Sequence, residues 1–125
     1  MENDRDILLE IKHLRSRLPQ VTGVVVASAD GLLVAHEADG IEPERMAAMS
    51  AAHLGLAQQI ARGAGCGDFQ DTVTRAADGY VATFAAGPTA LLTVMAEADL
   101  NVGLLHHEVR PVASRVGLLV ERVDG

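Results

Sequence analysis

Residues 21–36 read VTGVVVASADGLLVAH, and the Ser-Ala-Asp-Gly at 28–31 has the residue types of a phosphate-binding turn. A Walker-type loop ends in Gly-Lys-Ser/Thr and opens a helix, because backbone amides, lysine and helix N-terminus act on the phosphates together. Here an apolar run follows the glycine at once, so the turn opens a strand and reads as a hairpin corner. The Gly-Ala-Gly-Cys-Gly at 63–67 is glycine-rich but follows a helical stretch and precedes an extended one. That order is the reverse of a dinucleotide fingerprint. Neither stretch is expected to hold a nucleotide.

His106-His107-Glu108 supplies metal-ligating types. Neighbours on a helix diverge by ~100°, and neither an HExxH nor a Cys-His spacing accompanies them, so the histidines read as solvated or as part of an interface. His53 sits at helical spacing from Met49 and Leu56 and is expected to be a core histidine with its ring hydrogen-bonded. Cys66, the sole cysteine, has no basic neighbour closer than Arg62, and so lacks the surroundings that make a thiol nucleophilic. No catalytic residue, cofactor-binding residue, metal site or cofactor is expected.

The elements that position these residues follow from composition and pattern. The chain of 125 residues is 49% hydrophobic but only 2% aromatic, with no Trp. Its core must therefore be built from Ala, Val and Leu with Met as filler. A length of 125 residues suits one domain over 1–125. A mean hydropathy of +0.20 points to apolar surface left for a partner. The net charge is −7, and Lys12 is the only lysine beside nine arginines. That balance disfavours nucleic acid and anionic membranes. One cysteine suits a reducing compartment, the charged periodic N-terminus is unlike a signal peptide, and no apolar run approaches the ~20 residues of a membrane span. A cytoplasmic location is expected.

Ile7, Leu8, Ile11, Leu14 and Leu18 recur at helical spacing from Asp4 to about Arg17, and Pro19 stops the helix. The β-branched run at 24–27 reads as a strand covered on both faces, and Leu32 to His36 returns as its hairpin partner. Ala-Asp-Gly punctuates the chain at 29–31, 38–40 and 77–79. Glu42-Pro43-Glu44 opens a second helix running to about Arg62 and ending at Gly63. On it Met46, Met49, His53, Leu56 and Ile60 share one face, while Ala48, Ala51, Ala52 and Gly55 form a nearly opposite face of small residues. A surface helix would be polar there, so a second copy of the same helix is the expected cover. FQDTVTRA at 69–76 reads as a polar, edge-like strand, followed by strands at 80–85 and 90–96. A last helix starts near Asn101, in which Pro111 either kinks the helix or marks its true start. The order α-β-β-α-β-β-β-α predicts a five-stranded antiparallel sheet with helices on both faces, the strands at 24–27 and 90–96 innermost.

GVVVASADGLLVA, ERMAAMSAAHLGLAQQ and DGYVATFAAGPTALLTVMAEADLNVGLL, in that order over roughly 20–120, resemble the bacterial branch of the Roadblock/dynein light-chain family. The resemblance implies an α+β fold of the profilin-like sandwich type and a homodimer paired through the middle helix and third strand. It also implies a non-catalytic adaptor or regulator that binds a small Ras-like GTPase in a bacterial signalling system, modulating its GTP hydrolysis, with a sensor kinase in the same system. On that basis Ala48, Ala51, Ala52 and Gly55 are expected at the helix–helix contact and Thr72 and Thr74 along the paired edge. Arg45, Arg62 and Arg75 are the arginines available as a finger toward a GTPase, against the plainer reading of surface solvation. The alternative is an α/β domain sensing a small molecule between sheet and helix, which the scarcity of aromatic and convergent polar residues disfavours.

Overall fold

All four side chains at 24–27 are wholly inaccessible to solvent, as a strand walled on both faces requires. The computed structural model describes residues 2–124, with side chains over 4–122. Its elements are α1 (Glu2–Arg17), β1 (Val21–Ser28), β2 (Leu33–Ala38), α2 (Pro43–Gly63), β3 (Asp71–Ala76), β4 (Gly79–Ala86), β5 (Ala90–Glu97) and α3 (Val102–Asp124). The five strands form one antiparallel sheet in the order β2-β1-β5-β4-β3. The two strands read as innermost are therefore adjacent, with β5 at the centre and β1 beside it.

Side chains alternate across the sheet. One face collects Val24, Val26, Tyr80, Ala82, Phe84, Leu92 and Val94 under α1 and α3, which contribute Ile7, Ile11, Leu14, Leu105, Val109, Val112 and Val116. The other face presents Val25, Ala27, Leu91 and Met95 to α2, with Phe69 closing one end. The first cluster is much the larger, so α2 rests on a thinner apolar layer than its two counterparts.

The Ser28–Gly31 corner is confirmed as a hairpin turn. The Ser28 hydroxyl meets the Asp30 carboxylate and accepts from the Leu32 amide at 3.1 Å, while Gly31 takes a φ of +93°. That left-handed conformation is open to glycine and strained for other residues. α3 starts at Val102, where the Asn101 side chain accepts from the Leu104 amide at 2.9 Å as a helix cap. Pro111 lies inside this helix, so it does not mark the start.

Candidate protein–protein interface

Pro43 opens α2 in a position where its missing amide has no intrahelical partner to lose, with Glu44 in the same first turn. The helix ends through Ala64, whose amide donates to the Ile60 carbonyl at 3.0 Å, and Gly65, at a φ of +73°. Between these ends, Ala47, Ser50 and Leu54 are buried against the sheet, with Met46, Ala51 and Ala57 packed at the rim. The stripe 47, 50, 51, 54 has the spacing of one helix face.

This placement corrects the expected faces. The sheet-facing stripe runs between the two, taking Met46 from the large face and Ala51 from the small one. Two contacts explain the choice. The Thr93 hydroxyl donates to Ser50 Oγ at 2.9 Å and lies 3.0 Å from Thr83 Oγ1, a buried chain tying α2 to β5 and β4. The helix also passes so near the β1–β2 turn that a Cβ on Gly31 would lie 3.4 Å from the Ala48 Cα. Only a stripe of small residues around Ser50 permits both.

Consequently Met49, Leu56 and Ile60 point away from the sheet, 49%, 61% and 71% exposed. His53 is exposed beside them, so it is not the core histidine that its apolar spacing implied. Ala48 and Ala52 are exposed on this outward side, and Gly55 lies at its flank with open space where a Cβ would stand. Leaving a Leu or Ile in water costs roughly 1.5–3 kcal/mol relative to burying it fully, so the outward stripe is an apolar surface that the fold of the single chain leaves uncovered.

The polar strand expected at 69–76 begins at Asp71, and Phe69 before it is buried. β3 is an edge strand bonded only to β4, with Thr72 opposite Thr83 and Thr74 opposite Val81. Val73 packs toward the α1–α3 side, so by alternation Thr72 and Thr74 lie on the α2 side. Outward α2 and the open β3 edge thus flank the same face of the sheet.

Behind that edge lies a cluster that sequence reasoning missed. His106 Nε2 lies 2.9 Å from Asp71 Oδ1, Nδ1 lies 2.8 Å from the Val102 carbonyl, and Arg110 reaches the same carboxylate at 3.7 Å. The ring also meets Phe84 edge-on, with centroids 5.2 Å apart. No sequence spacing connects positions 71 and 106, so no local signal could have found the pair. Among the other candidates, Arg62 pairs with Asp68 at 3.5 Å, Arg75 lies 5.8 Å over the Tyr80 ring, and Arg45, His107 and Cys66 are exposed. Among the described residues, no group of three or more His, Cys, Asp and Glu side chains is placed to hold a metal ion, and no helix is long and apolar enough to cross a membrane.

The Roadblock/LC7 domain model matches residues 8–96, from the middle of α1 through β5. The chain belongs to the Roadblock/LC7 family. Solved structures agree on the fold. MglB of Myxococcus xanthus superposes with a TM-score of 0.87 at 15% identity, covering 98% of this chain and 92% of its own. A Roadblock/LC7 domain from Streptomyces avermitilis gives 0.82 at 23% identity, covering 91% of this chain and 97% of its own. Profilin IA of Acanthamoeba castellanii gives 0.65 at 14% identity, covering 89% and 97%, so this Roadblock fold is profilin-like. No curated protein matches the chain significantly by sequence.

Proposed function

We propose that the chain, as one Roadblock domain over residues 1–125, is a non-catalytic homodimeric adaptor that binds a small Ras-like GTPase in a bacterial signalling system and modulates its hydrolysis. The observation that carries this reading is the outward stripe Met49, Leu56 and Ile60 on α2, next to a β3 edge with unpaired backbone groups. Two such surfaces brought together by a two-fold axis would pack α2 on α2 and continue the sheet across β3, removing both an apolar stripe and a free edge. Ala48, Ala52 and Gly55 would let the helices approach, Ala51 would sit at the rim, and Thr72 and Thr74 would border the joined edges. Membership of the Roadblock family supports the GTPase as partner and is consistent with a cytoplasmic location.

A small-molecule sensor would need space between α2 and the sheet, and there Ala47 and Leu54 already pack with Val25, Leu91 and Met95 while Ser50 is bonded to Thr93. In native mass spectrometry at low micromolar concentration the chain should appear near 26 kDa, twice its 13.1 kDa, and Ile60→Glu should shift it toward the single chain. A 13.1-kDa species in the unaltered protein would overturn the dimer. Pull-down of the cognate GTPase that is identical with GDP and GTP would overturn the regulatory part.

A further inference from the structure

The face of the sheet opposite α2 carries a second unpartnered surface. Arg115 Nε donates to Glu10 Oε1 at 2.9 Å, and Arg17 pairs with Glu108 at 3.3 Å. The partners of positions 10 and 17 are 115 and 108, so α1 and α3 lie side by side and antiparallel. Between them runs a groove of about 450 Å³, whose lining includes Asp6, Leu9 and Glu10 on α1 and Arg115, Leu118 and Arg122 on α3. Leu9 is 58% and Leu118 61% exposed, an unusual state for two leucines that flank one concavity.

The charges are sorted by helix. The α1 wall is acidic through Asp6 and Glu10; the α3 wall is basic through Arg115 and Arg122. Among the described residues Asp6 and Arg122 form no ion pair. A two-fold axis lying along the groove, parallel to both helices, would turn the α1 of a second copy onto the α3 of the first at the same height. Asp6 and Glu10 of each copy would then face Arg122 and Arg115 of the other, and Leu9 would meet Leu118. No other simple two-fold does this: an axis across the groove would set α1 on α1 and oppose like charges.

We infer that the α1–α3 groove is a self-association surface whose occupant is the same groove of a second copy, distinct from the α2–β3 surface and on the opposite face of the sheet. The complementarity is isologous, since one patch supplies both halves of the contact. The leucines provide the desolvated centre and the charges at the rim set orientation. Where the α2–β3 dimer also forms, each dimer retains two grooves, so association proceeds in steps of two chains as concentration rises.

The contact is tested in the Ile60→Glu chain, so that its failure and that of the α2 dimer are read separately. Sedimentation velocity from micromolar to sub-millimolar concentration should show this chain passing from monomer to dimer, with Leu118→Glu raising the midpoint concentration at least tenfold. Asp6→Arg alone and Arg122→Glu alone should each weaken association likewise. An equimolar mixture of those two should restore it, because both halves of the mixed contact again pair acid with base. The charge variants keep the test decisive if Leu118→Glu fails to fold. A chain that stays monomeric at every concentration overturns the inference, including where the groove serves an unrelated partner helix; so does a mixture no tighter than its components.

Discussion

His106 on α3 and Asp71 at the first residue of β3 face one another at 2.9 Å, while the other ring nitrogen of His106 faces the Val102 carbonyl at 2.8 Å. Both nitrogens therefore point at oxygen acceptors, an arrangement satisfied fully only by the doubly protonated ring. The Val102 hydrogen bond holds the His106 pKa above its ordinary value, helped by Asp71 and opposed by partial burial and by Arg110. The last helix is thus pinned to the edge strand by a contact whose strength depends on a proton.

A histidine whose folded pKa exceeds its unfolded value near 6.5 adds stability that is complete below that pH and is lost as pH rises through the folded value. The free energy of urea unfolding should accordingly decline from about pH 6.5 upward, and His106→Gln should flatten this decline. Parallel pH profiles for the two proteins would show that the contact does not form in solution.

Thr93 is the middle member of the buried Thr83–Thr93–Ser50 chain and is wholly inaccessible. Thr93→Val keeps the shape but strands two buried hydroxyls, a loss of about 1–3 kcal/mol. Adding Ser50→Ala and Thr83→Val should recover part of it, because no polar group is then left unpaired. Chemical denaturation of the single and triple variants measures both values; a triple variant less stable than the single would refute the account.

Two helical glycines should respond oppositely to alanine. A Cβ on Gly117 would stand 2.7 Å from the Ala86 carbonyl and the Gly87 amide, whereas one on Gly55 meets nothing within 4 Å. Gly117→Ala should destabilise by about 1–3 kcal/mol through overpacking against backbone, despite its better helix propensity. Gly55→Ala should instead raise the stability of the single chain by about 0.5–1 kcal/mol. The larger Gly55→Leu should weaken the α2 dimer while leaving the fold intact. Thermal melts of the first pair and sedimentation of the third check these signs.

Pro111 is exposed inside α3 and leaves the His107 carbonyl without its i+4 donor. Pro111→Ala should restore that bond and raise unfolding stability by about 1–3 kcal/mol. An unchanged melting temperature would mean that the helix has already adjusted around the ring.

Runs such as 24–27 and 90–96 were legible because continuous apolar strands can belong only to the middle of a sheet, and Asp30-Gly31 because its turn chemistry is local. α2 was harder to read. A helix apolar on every side gives hydropathy no direction, so His53 was expected in the core but is exposed, and the buried position of Ser50 carried no signal of its own. Ser50 is held by Thr83 and Thr93, and Asp71 by His106; such partners are set by the pairing of distant strands and helices, which periodicity does not report. For the same reason Met49, Leu56 and Ile60 were legible as members of one apolar face of α2 but not as side chains turned away from the sheet.

The central position of β5 governs the order in which the sheet can be made during synthesis. β1 and β2 leave the ribosome early and can pair as a hairpin, and β3 and β4 can do so later. Each hairpin nevertheless keeps an apolar inner edge open until residues 90–97 arrive to join them. The β1 edge therefore stays open from the completion of β2 at Ala38 until β5 arrives, whereas the β4 edge, finished at Ala86, waits for only a few residues, so the early Val-rich hairpin is the pairing-prone species during synthesis.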